Sequence, residues 1–308
     1  MTKRDAIKAA ISHKEVGVVP YWVDFNPEPL ERAKVHFPNG DLGNFLYGIS
    51  PPWWDWYQLP ESYNDFDAPD FLPQTRGRGS YEIFRDELQF AKEKTDCYRL
   101  AWVYGTHFEK ANFARGIENF LADLAGNKEF AKSLLDMIIR KNIVMLENIL
   151  TYPEIDGVLL GSDWGSQQSL LMNPDTWREL IAPGELKEYE LIKNAGKDVW
   201  IHSCGNIEQI LPDLIDMGVD VINPVQSEAM NIYDLKIKYG SKITFCGGIS
   251  TQQTLPYGTP EEVKAETEKV VSFMSKGGGY IASPSQCIQD DVPTENILAL
   301  FEALRRYI

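Results

Sequence analysis

A chain of 308 residues, 44% of them hydrophobic and 24% charged, has the composition of a globular protein with room for one large core. Its 45 Asp and Glu residues outnumber 30 Lys and Arg, and the formal charge of -15 repels phosphate backbones and anionic lipid, so neither nucleic acid nor a membrane is an expected partner. The four cysteines, Cys97, Cys204, Cys246 and Cys287, are too few for a disulfide framework, and the sequence shows neither a signal-peptide core nor a long apolar run, so it reads as cytoplasmic, its thiols free, buried or on a metal.

In chain order, a short amphipathic helix opens the sequence and an apolar strand is expected over 18–25. Residues 40–97 carry prolines, acids and the cluster Trp53, Trp54, Trp56 and Tyr57, and read as an insertion over one end of the fold, with a further strand concealed between 82 and 92. From residue 98 brief apolar runs at 98–104, 157–161, 199–203, 219–224, 243–246 and 280–283 alternate with helical patterns at 128–150, 174–195, 207–217, 260–274 and 294–307. Pro174, Pro260 and Pro293 stand at or beside helix starts, where a missing N–H costs little, with Asn173 and Thr259 as N-caps. Such alternation predicts an α/β fold with a parallel sheet, and eight units close a distorted (β/α)8 TIM barrel in one domain spanning 1–308. The competing doubly wound sheet lacks a G-x-G-x-x-G after the first strand, and Gly277-Gly278-Gly279 reads as a turn.

The segment Val199-Trp200-Ile201-His202-Ser203-Cys204-Gly205-Asn206 ends a strand in H-x-C. Residues i and i+2 of a strand share a face, so His202 and Cys204 point together toward the barrel mouth, as two ligands of a tetrahedral Zn²⁺ would. By itself the pair reads first as a buried thiol beside a hydrogen-bonded imidazole. Cys287, at the end of a non-adjacent strand, supplies a third ligand and leaves one position open, as in catalytic zinc sites. Cys246, Glu228 and Gln226 are fourth or competing ligands, with Cys246 also readable as a packed thiol, and Cys97 precedes its strand and belongs to the opposite end. Asp163, after the strand at 157–161, is the expected catalytic group, orienting substrate or exchanging a proton. Asp24, Tyr104 and Gln226 are expected to bind substrate, with His107, Gln167 and Gln168 weaker candidates and the tryptophans either a lid or a plug.

The runs HSCGNI (202–207), GVDVINP (218–224), FCGGI (245–249) and P-x-E-N-I (293–297) resemble the uroporphyrinogen decarboxylase superfamily over about residues 95–308. The resemblance implies a distorted (β/α)8 barrel and either of two activities, tetrapyrrole decarboxylation or zinc-dependent methyl transfer with a corrinoid (cobalamin) protein. H-x-C with a third cysteine at long range is the mark of the methyltransferases, and it falls on His202, Cys204 and Cys287. The decarboxylases resemble one another in an R-x-A-G-R-Y segment near the N-terminus, where this chain reads VPYWVDF (19–25) without arginine; Arg76, Arg78 and Arg85 read as part of the solvated insertion. The implied partners are a corrinoid protein and a small methyl donor or thiol acceptor, with the direction of transfer open. The rival readings are a metal-free decarboxylase and a barrel that docks a corrinoid without turnover.

Overall fold

A computed structural model describes residues 1–56 and 75–308. Among the described residues the strands are β1 (Leu46–Ile49), β2 (Trp53–Trp56), β3 (Thr75–Arg78), β4 (Tyr98–Val103), β5 (Gly157–Gly161), β6 (Asp198–His202), β7 (Val221–Val225), β8 (Thr244–Ile249) and β9 (Tyr280–Pro284). Seven of them form one parallel sheet in the order β1-β4-β5-β6-β7-β8-β9. Tyr21 pairs with Ala282 of β9, and its carbonyl accepts from Phe45 N, the residue before β1, at 3.0 Å. Residues 20–25 thus occupy the eighth position, and the fold is a distorted (β/α)8 barrel.

The strand expected at 18–25 is reduced to bridges at Tyr21 and Phe25. Its ladder is broken because the Asn44 side chain takes both backbone groups of Val23, accepting from its N at 2.9 Å and donating to its O at 2.9 Å. The strand expected within 82–92 is instead part of a helix, Tyr81–Lys94, whose buried Phe84, Leu88 and Ala91 follow the helical period. The remaining barrel strand is β1, inside the span read as an insertion; four residues with a central glycine carry too little apolar pattern to stand out. The antiparallel β2–β3 pair packs on the helices His107–Arg115 and Lys128–Ile149, where Trp54 Nε1 donates to Asn142 Oδ1 at 2.7 Å. Tyr57 lies outside the described residues.

The helix starts follow the local chemistry. Thr259 caps Pro260–Met274 with a full capping box, and Asn173 caps Pro174–Thr176 through Asp175 N. The pattern at 174–195 is interrupted by a π turn, Trp177–Ile181, just before Pro183, which has no N–H to continue the ladder. At the amino end of the barrel Asp156 pairs with Arg4 and Arg99, and Lys8 Nζ lies 2.7 Å from Asp198. Above them Trp200 donates to the Tyr98 hydroxyl, which donates to Asp198, filling the lower interior. These contacts leave the upper interior for the polar groups at the carboxyl ends. Among the described residues no helix is long and apolar enough to cross a membrane.

Candidate metal centre

His202 closes β6, and Cys204 follows it into a turn held from outside the strand. Gly205 has φ +80°, and a Cβ there would lie 2.5 Å from Ser166 O, so only glycine lets the turn approach the loop after β5. Across that contact Asn206 N donates to Ser166 O at 2.7 Å, Trp164 N to Ser203 Oγ at 3.0 Å, and Cys204 N to Asp163 Oδ1 at 2.9 Å. The stitching brings donor atoms of Asp163, His202 and Cys204 within 4.8 Å of one another. His202 Nε2 is 3.5 Å from Cys204 Sγ and 3.9 Å from Asp163 Oδ1.

Cys287 lines a narrow pocket with Trp22, Asp24, Tyr104, His202 and Gln286. Its thiol donates to Asn26 Oδ1 at 3.5 Å and accepts from Gln289 Nε2 at 2.9 Å, outside the cluster of three. Gln286 Nε2 lies 3.7 Å from Cys204 Sγ and links the two cysteine loops. The Tyr104 ring stands edge-on to His202 at 5.3 Å.

The other candidates lie elsewhere. Gln226 Oε1 accepts from Gly205 N at 2.8 Å and its amide faces Gln167, so it braces the turn behind the pocket. Glu228 holds Ser250 Oγ at 2.6 Å and Gln252 N at 3.1 Å. His107 is buried against Glu185, and Gln168 N bonds Ser166 Oγ. Cys246 is buried and accepts from Asn223 Nδ2 at 3.4 Å, while Cys97 donates to Asn44 O at the other end of β4.

Three residues not singled out in the sequence belong to the site: Asn223, Gln286 and Glu109. Asn223 Oδ1 sits 2.8 Å from His202 Nδ1, and Glu109 accepts from Gly105 N at 3.2 Å. Only the parallel pairing of His202 with Asn223 could have pointed to the first. Glu109 comes from the helix after β4, a turn beyond the strand-end positions that sequence patterning brings to the mouth.

The electrostatics of this mouth are one-sided. Burial pushes the Cys204 thiol up to about 12, with Asp163 and Glu109 adding to the effect. Burial and then Asp163 push Glu109 up to about 7. Asp24 is raised by burial, and Cys287 by burial and then by Asp24. The described residues lining the pocket include no lysine or arginine. Thiol, carboxylate and imidazole groups brought this close together offer the soft and hard donors that suit a divalent metal such as zinc.

The fold and the donor set together define a barrel with a metal-competent mouth. The chain belongs to the uroporphyrinogen decarboxylase (URO-D) family, whose model matches residues 108–307. It is 29% identical over 137 residues to the methylcobamide:CoM methyltransferase MtaA of Methanosarcina barkeri, a match covering 44% of this chain and 38% of that protein. A uroporphyrinogen decarboxylase of Pseudoalteromonas atlantica is 22% identical over 157 residues, 47% of this chain and 42% of that one. The chain spans about two fifths of the length of these curated relatives. A solved methyltransferase from Methanosarcina mazei shares the fold, with a TM-score of 0.68 at 18% identity over 100% of this chain and 99% of that one.

Proposed function

We propose that this protein is a zinc-dependent methyltransferase that moves a methyl group between a small methylated substrate or thiol and a corrinoid protein. The observation that carries the reading is the convergence of His202 Nε2, Cys204 Sγ and the Asp163 carboxylate within 4.8 Å, with Cys287 lining a pocket that His202 also lines. His202, Cys204 and Cys287 would hold the metal, and Asp163 stands where it completes the set or takes a proton. Bound zinc would supply Lewis acidity, making a thiol or the heteroatom of a methyl donor reactive near neutral pH. Two thiolates and a neutral imidazole balance the charge of Zn²⁺, so the centre repels neither a neutral nor an anionic ligand.

The chain's own groups do the rest. Glu109, pushed up to about 7 and accepting from Gly105 N, is poised to hold the proton that a thiol gives up on attack or that a demethylated product regains. Asp24 and Tyr104 shape the approach to the donor atoms, and the Tyr104 edge keeps the His202 ring from turning. The relative from Methanosarcina barkeri, a methylcobamide:CoM methyltransferase, supports this reading. Metal analysis tests the reading against the decarboxylase: about one zinc per chain supports methyl transfer, whereas a metal-free protein that decarboxylates a tetrapyrrole refutes it. Zinc without methyl transfer in either direction would instead favour the non-catalytic corrinoid-docking barrel.

A further inference from the structure

Four consecutive barrel strands each turn one polar side chain into the interior just below the pocket: His202 on β6, Asn223 on β7, Cys246 on β8 and Ser283 on β9. All four are buried, and the first three are joined in sequence. His202 Nδ1 lies 2.8 Å from Asn223 Oδ1, and Asn223 Nδ2 lies 3.4 Å from Cys246 Sγ. The Ser283 hydroxyl donates to Pro284 O at 3.0 Å.

The sulfur lone pair of Cys246 accepts from Asn223 Nδ2, which orients the amide with Oδ1 toward His202. An acceptor there requires the proton of the neutral imidazole to sit on Nδ1, leaving the Nε2 lone pair toward Cys204 and Asp163. Turned over, the amide would present an N–H to Nδ1 and move the imidazole proton to Nε2, blocking the atom that faces the cluster.

From this row we infer that Asn223 and Cys246 are positioning residues that set the tautomer of His202 and make Nε2 the metal-binding atom. The metal part of the inference rests on the proposed zinc centre; the tautomer part concerns the metal-free chain alone. Cys246 is then neither a ligand nor an inert packed thiol but the sulfur that orients Asn223.

The test is long-range ¹H–¹⁵N correlation of the His202 ring in metal-free protein at pH 8, together with zinc affinity by competition with a chelator. Wild type should show the Nδ1–H form alone. Asn223→Ala should give a mixture of forms and lower zinc affinity about ten- to a hundredfold, the usual loss when the partner of a ligating histidine is removed. Asn223→Asp, which keeps an acceptor whatever Cys246 does, should restore the Nδ1–H form. Cys246→Ser should keep that form, whereas Cys246→Val, which deprives Asn223 of its acceptor, should mix the forms and weaken zinc about three- to tenfold. Merely structural roles would not sort the variants by hydrogen-bonding capacity. A single Nδ1–H form and unchanged affinity in Asn223→Ala or Cys246→Val would overturn the inference, as would loss of that form in Asn223→Asp. If Cys246→Val does not fold, the Asn223 pair decides alone. If wild type takes up no zinc, the proposed function falls while the tautomer measurement still judges the row.

Discussion

Asp163 and Cys204 are 41 residues apart in the chain, yet a single hydrogen bond from the Cys204 amide fixes the carboxylate beside the thiol. Cys204→Ala or Cys287→Ala should therefore abolish zinc retention while the barrel stays folded, whereas Cys246→Ala should keep about one zinc per chain and cost about 1 kcal/mol in melting experiments. Metal content and thermal melts of the three variants check this; zinc lost from Cys246→Ala and kept by Cys287→Ala would move the third ligand to Cys246. Glu109 predicts a pH dependence of stability. Its folded value of about 7 lies above the ordinary 4.5, so the folded chain holds the extra proton between these values. Stability of the metal-free protein should fall as pH rises from about 4.5 to 7 and then level off. Glu109→Gln should flatten that slope and gain about 1 to 3 kcal/mol above pH 7, read from denaturant titrations at several pH values. The meeting of Asp163, His202 and Cys204 was legible in the sequence because each ends or follows an apolar strand whose alternation shows where its end faces, whereas Cys287 lies outside that cluster. Asn223 was not, since one asparagine inside an apolar run means nothing until its cross-strand neighbour is known.

At the level of elements, the turn after β6 sets the geometry of the centre. Gly205→Ala forces a Cβ against the Ser166 carbonyl at a positive φ and should cost about 2 to 4 kcal/mol. Because the same turn carries Cys204, the variant should also bind zinc more weakly than the melting loss alone suggests, measured as affinity at a temperature where both proteins are folded. The caps at Thr259 and Asn173 were readable because side-chain capping is local chemistry. Strand β1 was hidden because its identity is non-local: Leu46–Ile49 becomes a barrel stave only by pairing with β4 and meeting residues 20–25. The helix Tyr81–Lys94 went unread for a similar reason, its three buried residues being spread thinly among charged ones.

In the whole molecule the core does not depend on the metal. One hydrophobic cluster runs from Ala6 to Leu304 and includes residues of all seven sheet strands, so chelation should leave the far-ultraviolet circular dichroism unchanged. It should lower the melting temperature only by linkage, about 4 to 5 °C relative to free zinc at a hundred times Kd. Collapse of the secondary structure on chelation would show that the centre is structural rather than catalytic. The most direct measurement combines the zinc-loaded protein with cob(I)alamin and a panel of methylated ethers, amines and thioethers, and with methylcobalamin and a panel of thiols, following the corrinoid absorbance. The account predicts interconversion of the two corrinoid spectra with at least one partner, lost on chelation and in Cys204→Ala. No spectral change in either direction with zinc bound, or an equal change in Cys204→Ala, would contradict it.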